Sequence, residues 1–323
     1  LGLVEAERDN LGRAIINYKK ALKIKPNFLE GLISLAIAYQ KSEDYSNSLK
    51  CFEKALKLNS SNPQLHVNLG IVHRNMGHFD DAVVHYNEAI SIKPDYAAAY
   101  INLGNVLVEK LDIDNAIKNY NHALQIQPTD SDIYVNLGVA YHRKDQIHNA
   151  LECYKKAIHF EPHHDQAYWN LEKTLHGVSF KRNDPDLNEI ICKLMSKEKF
   201  FAPIEIVKPS ISLLKLDPMY QQVLISAKLP MSMEKTREIV SKVTKIPLFI
   251  RLLRTCALPD LEIESILKTV RRSILMVIEH LKAESEIFDF LSALATQCYI
   301  NEYIYGKSNE EIEQVSNLEK YIE

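Results

Sequence analysis

Glycine is scarce in this 323-residue chain: there are nine, and after residue 140 only Gly177 and Gly306. A phosphate-cradling P-loop, a dinucleotide fingerprint and a GxSxG elbow all need glycines clustered where backbone turns sharply or meets a ligand. So few glycines build none of these, and no HExxH pair offers a metalloprotease site. Cysteine is equally uninformative: Cys51, Cys153, Cys192, Cys256 and Cys298 are odd in number and widely spaced, with no CxxC pair. That argues against a disulfide framework or zinc ribbon and points to a reducing, cytoplasmic compartment. No apolar run is long enough to span a bilayer, and no signal-peptide pattern opens the chain. Neither sign of charge dominates: 39 Lys and Arg stand against 42 Asp and Glu, a formal net charge of -3. Nucleic acid or an anionic membrane is therefore disfavoured as the main partner. These residues offer no catalytic constellation, and no cofactor is expected.

What is present is periodicity. Aromatic residues fall at Tyr18, Phe52, Tyr86, Tyr120 and Tyr154, each 34 residues after the last. Ala21, Ala55, Ala89, Ala123 and Ala157 keep the same step, as do Leu35, Leu69, Leu103, Leu137 and Leu171. Pro26, Pro94, Pro128 and Pro162 keep it too, with Ser60 in the vacant slot. Complete copies run 29–62, 63–96, 97–130 and 131–164. Residues 1–28 form a copy lacking its start, and 165–176 one more first helix. The opening residues, which include no initiating Met, already sit inside a repeat, as expected of a piece of a longer protein. Long segments free of Gly and Pro, with apolar residues at i, i+3, i+4 and i+7 (Tyr100, Leu103, Gly104, Leu107), predict an all-α fold. Each copy reads as two antiparallel helices. Gly104, Ala116 and Ala123 would allow close approach, Tyr120 would fill the space between, and Pro128 would end the second helix. One pair has too little core to stand alone, so neighbours must stack into an α-solenoid.

A 34-residue period carrying Leu-Gly, Ala, aromatic, Ala and Pro in that order resembles the tetratricopeptide repeat. The resemblance covers about the first half of the chain and implies a right-handed superhelix over residues 1–176 with a concave binding groove. One residue type fits the packing logic poorly. VNLG at 67–70, INLG at 101–104, VNLG at 135–138 and WNLE at 169–172 place Asn68, Asn102, Asn136 and Asn170 at position 6 of the first helix. Asn favours caps and turns over helix interiors. Position 6 lies off the stripe made by positions 4, 7, 8 and 11 and shares a second face with positions 2, 9 and 13. In the family that face lines the groove. The arrangement is similar to the asparagine ladder of O-linked N-acetylglucosamine transferases, which grips peptide backbone. An amide side chain supplies the donor and acceptor a peptide group needs. Arg74, Asn75, Asn105, Glu109, His142 and Arg143 stand on or beside that face and complete the candidate peptide-binding set. The alternative is that the Asn residues bond to the next repeat and set its twist.

Other candidates weigh less. His159, His163 and His164 form the densest histidine group but sit at a helix end, so no metal site is expected. Position 5 holds Ile33, Val67, Ile101, Val135 and Trp169, which disfavours a basic clamp for a terminal carboxylate. Beyond residue 178 the period is lost. Pro185, Pro203, Pro209, Pro218, Pro230, Pro247 and Pro259 keep helices short, while 261–282 and 284–304 show helical spacing and 308–323 reads as a polar helix. A second, smaller helical domain over 178–323 is expected. The stretches ALPDLEIESILKTVRRSIL and FDFLSALATQCYINEYIY weakly resemble the helical linker of bacterial fusions between tetratricopeptide repeats and methyltransferases. Two functions stay open: a protein-binding scaffold, or the substrate-targeting half of a larger methyltransferase or glycosyltransferase whose catalytic domain lies beyond residue 323.

Overall fold

The computed structural model describes residues 11–196, 203–229, 232–255, 258, 260–277 and 285–300. Among the described residues there are seventeen helices and no strand, so the all-α expectation holds. Internal contacts divide the chain into two units, Leu1–Ala167 and Tyr168–Glu323.

The first unit is a run of helix pairs in register with the period: α1 (Leu11–Ile24), α2 (Leu29–Lys41), α3 (Tyr45–Leu58), α4 (Pro63–Asn75), α5 (Phe79–Ile92), α6 (Ala97–Glu109), α7 (Ile113–Ile126), α8 (Ser131–Arg143) and α9 (Ile147–Phe160). The start of the incomplete first copy, residues 1–10, lies outside the described residues. Within each copy the two helices pack together, and each second helix packs on the first helix of the next copy. The reason is visible in the glycines. A Cβ built on Gly70, Gly104 or Gly138 would lie 2.5, 2.6 or 2.4 Å from the ring of Tyr86, Tyr120 or Tyr154 respectively. Each tyrosine therefore lies flat on the bare backbone of its partner helix, flanked by fully buried alanines such as Ala116 and Ala123. The second copy has Ala36 in the glycine slot and the smaller Phe52 facing it. In that copy Ser48 occupies the slot of Ala116, and its buried hydroxyl donates to the Ala36 carbonyl at 2.8 Å.

The turn inside each pair reverses in few residues by placing repeat position 15 in the left-handed region. Glu43, Gly77, Leu111 and Asp145 have φ of 60°, 78°, 63° and 59°. Only one of the four is glycine, the residue that adopts this conformation freely. At position 16, Asp44 and Asp112 then cap the second helix, accepting from the backbone N–H of Asn47 and Asn115. Pro128 follows the cap residue Gln127 and closes α7 as expected.

α10 (Asp165–Leu175) begins in the first unit, and the division between units falls inside it. The second unit continues with α11 (Pro185–Leu194), α12 (Pro203–Leu214), α13 (Pro218–Ala227), α14 (Met233–Val243), α15 (Pro247–Thr255), α16 (Leu261–Val277) and α17 (Ser285–Ile300). Four of the prolines stand at the first position of a helix, where the missing N–H costs nothing. Asp184 and Asp217 precede two of them and accept backbone N–H bonds as N-caps. α15 buries Leu248, Phe249, Leu252 and Leu253 and packs against α11, α12 and α17. Tyr220 meets Phe249 edge to face at 5.5 Å. The polar helix expected over 308–323 lies outside the described residues.

Candidate peptide-binding face

Because every first helix repeats the same register, α4, α6 and α8 lie against one another as neighbours. Asn68, Asn102 and Asn136 thus come from three adjacent helices at one helical position, each half-buried. Asn102 donates through Nδ2 to the Ala98 carbonyl at 2.7 Å. Asn68 accepts at Oδ1 from Gln64 Nε2 at 3.2 Å. Both bonds stay within one turn of their own helix, and neither crosses to the next repeat. Asn136 makes no side-chain hydrogen bond among the described residues. Asn68 keeps its two amide donors, Asn102 its oxygen, and Asn136 both groups. Asn170 differs: it sits on α10 in the second unit and is buried.

The flanking residues of the set do several different things. Asn105 accepts from the buried Tyr120 hydroxyl at 2.7 Å, an anchor for the core ring. Ile71 holds the equivalent slot one copy earlier, and there the buried Tyr86 hydroxyl has no partner. Arg74 on α4 and Glu109 on α6 form an ion pair joined through Nε at 2.8 Å and through Nη. Arg143 donates to the Val108 carbonyl at 3.2 Å, tying α8 to α6. At the opposite end of the helices the Tyr96 hydroxyl donates to Gln64, and His164 Nε2 lies 3.0 Å from Asp132 Oδ1. Each of these last two contacts links positions 34 and 2 of a copy. Asn75 and His142 are exposed.

His159, His163 and His164 do not converge. His164 is held by Asp132 and by the Ala167 N–H, while His159 packs on Phe160. The histidines that do meet are all in copy 63–96. His66 and His85 bring their Nδ1 atoms to 3.3 Å, and His66 Nε2 lies 3.3 Å from the Ser60 carbonyl. A carbonyl only accepts, so His66 donates to it through Nε2–H. His73 stacks on His85 with centroids 5.2 Å apart and lies 6.0 Å from His78. Burial, and then repulsion from His73 and His66, pushes His85 down to about 4. Burial lowers His73 as well, so both rings are neutral at neutral pH. This cluster escaped the sequence reading because its members are spread over 20 residues. The signal was available: positions 4, 11, 16 and 23 of one copy are brought together by the hairpin.

Models of the tetratricopeptide repeat match residues 38–77, 72–110, 104–145 and 131–164. None of the curated proteins compared with the chain matches it. Among solved structures, MamA is 27% identical over 50% of this chain and 95% of its own, with a TM-score of 0.46. YrrB, described as a TPR protein with an unusual peptide-binding site, is 26% identical over 51% of this chain and 86% of its own, with a TM-score of 0.43. PilF of Pseudomonas aeruginosa is 17% identical, covers 71% of this chain and 95% of its own, and has a TM-score of 0.50, a likeness of fold. Sequence period, paired helices and family models coincide: residues 38–164 are tetratricopeptide repeats stacked as an α-solenoid.

Proposed function

We propose that the repeats serve as a protein-binding scaffold, holding an extended peptide segment across α4, α6 and α8. The observation that carries this reading is the unused hydrogen-bonding capacity of Asn68, Asn102 and Asn136 on three adjacent helices. Residues that merely set the twist would bond to the neighbouring repeat. That role belongs instead to Arg74, Glu109 and Arg143. Packed helices lie about 8–10 Å apart, and an extended chain advances about 3.3 Å per residue, so a rung would meet roughly every third peptide group. Contacts of this kind read backbone and little sequence. Exposed Asn75 and His142 flank the rungs and are placed to add selectivity.

The test is the double substitution Asn102→Ala, Asn136→Ala, assayed with a peptide selected on the whole chain from a random-sequence display library. Each amide pair should contribute about 1 kcal/mol to a bound peptide. Losing two weakens binding roughly 10- to 100-fold. Melting should hold or rise slightly, since Ala is the better helix former and the Ala98 carbonyl keeps its helical bond. A variant that melts earlier yet binds the peptide unchanged would overturn the proposal.

A further inference from the structure

We propose that the turn between α4 and α5 is a binding site for a divalent first-row transition ion, Zn2+ above all, held by His73, His78 and Asp81. One ligand atom from each of the three lies within 4.8 Å of the others. His73 Nδ1 is 3.8 Å from Asp81 Oδ2, is buried, and has no hydrogen-bond partner. A buried ring nitrogen left without a partner costs free energy unless something else occupies it. A metal ion beside the carboxylate would do so.

The other copies show what these three slots hold when no ion is served. Position 16 is Asp44 and Asp112 in two copies, where it caps the second helix, and Gln146 in a third, which makes no side-chain cap bond. Position 19 is Asn47, Asn115 and Asn149, whose amides bond back to residue 16. Position 11 is Tyr39, Leu107 and Tyr141, part of the apolar packing. In copy 63–96 alone the trio becomes His, His and Asp, and His78 makes no side-chain cap bond. Three potential ligands thus stand at positions the hairpin already brings together.

Two imidazoles and one carboxylate match the nitrogen and oxygen preferences of Zn2+, whose bonds to such ligands are about 2.0–2.2 Å. Tetrahedral ligands then lie about 3.4 Å apart, so the trio must close by at most about 1.4 Å. His78 and Asp81 are exposed and can rotate to do so, while half-buried His73 stays fixed. Their exposure also leaves the remaining position open to water. The ion would clamp the end of α4 to the first turn of α5, so binding should stabilise this hairpin.

The experiment titrates Zn2+ into the full chain by calorimetry and follows melting with and without the ion. The expected result is one site per chain, a higher melting temperature with Zn2+, and at least tenfold weaker binding in His78→Gln and in Asp81→Asn. Both substitutions are at exposed positions and leave the core intact. His163→Gln is the control and should bind like the wild type. Absence of stoichiometric binding at up to about 100 μM Zn2+ would overturn the proposal. So would binding that survives His78→Gln and Asp81→Asn or is lost in His163→Gln.

Discussion

Replacing Gly104 by Ala tests the packing on which every repeat rests. The new methyl carbon would lie 2.6 Å from Tyr120 Cε1 and 2.9 Å from both Cδ1 and Cζ. Non-bonded carbons settle at about 3.5–4.0 Å, so the ring must retreat by about 1 Å. It has nowhere to go. Ala116 and Ala123 flank it without exposure, and its hydroxyl is tied to Asn105 at 2.7 Å. Overpacking of this kind costs about 1–3 kcal/mol. The gain in helix propensity from Gly to Ala is only about 1 kcal/mol. The clash therefore wins, and displacement of the hydroxyl from Asn105 adds roughly another 1 kcal/mol. Gly104→Ala should destabilise the chain by about 1–3 kcal/mol in urea unfolding. Because a solenoid transmits strain mainly to nearest neighbours, hydrogen exchange should quicken first in α6 and α7. Gly12→Ala supplies the contrast. Among the described residues a Cβ there meets nothing within 4 Å, so only the helix-propensity gain is expected. Adding Tyr120→Leu to Gly104→Ala should cost less than the sum of the two single changes, since the smaller side chain removes the clash. A Gly104→Ala protein as stable as the wild type would refute the argument that the ring is locked against the backbone.

Leu111 is 76% exposed and held at φ 63°, so Leu111→Gly relieves a left-handed leucine and sacrifices almost no packing. Stability should rise by roughly 0.5–1 kcal/mol by thermal or urea unfolding, and a loss would show that the leucine contributes contacts the turn needs. Burial pushes the Cys153 thiol up to about 12, and since the thiolate is the reactive form, alkylation by iodoacetamide at pH 8 should run at least 100-fold slower in the folded chain than in urea. Its rate should climb with pH well beyond the range of an ordinary thiol. Labelling of Cys153 at the unfolded rate, read by peptide mass spectrometry, would count against that burial.

Much of the first unit was legible because its packing demands recur. Leu, Gly, Ala and aromatic residues 34 apart mark where backbones touch, and a residue forced by contact reappears in most copies. The glycine under each tyrosine could be anticipated from Gly70, Gly104 and Gly138 alone. Turn position 15 was harder, because the conformation is conserved between copies while the residue is not: Glu43, Leu111 and Asp145 tolerate a left-handed φ that only Gly77 adopts freely. The prolines of the second unit carried more information than their number suggested. Read as breakers, they shortened helices. Paired with a preceding Asp, as at 184–185 and 217–218, they mark helix starts. Side-chain partners were least legible, since nothing in the sequence distinguishes Asn105, which anchors a core tyrosine, from Asn102 one turn earlier.

That difference between Asn102 and Asn105 shows where function can reside in a repeated fold. A slot filled alike in copy after copy answers a demand common to all copies, either from the core or from a ligand that runs past each of them. Buried slots belong to the first kind. Asn68, Asn102 and Asn136 are half-buried, and none bonds to a neighbouring repeat, which is the ground for proposing a ligand with a repeating backbone. A slot changed in one copy alone answers a local demand. His73, His78 and Asp81 replace a core residue, a cap-position residue and the amide that bonds back to it, a combination found in this copy alone. A buried unpartnered nitrogen such as His73 Nδ1 costs about 1–3 kcal/mol. The ion proposed for this hairpin, held by side chains that face one another, would offset that cost.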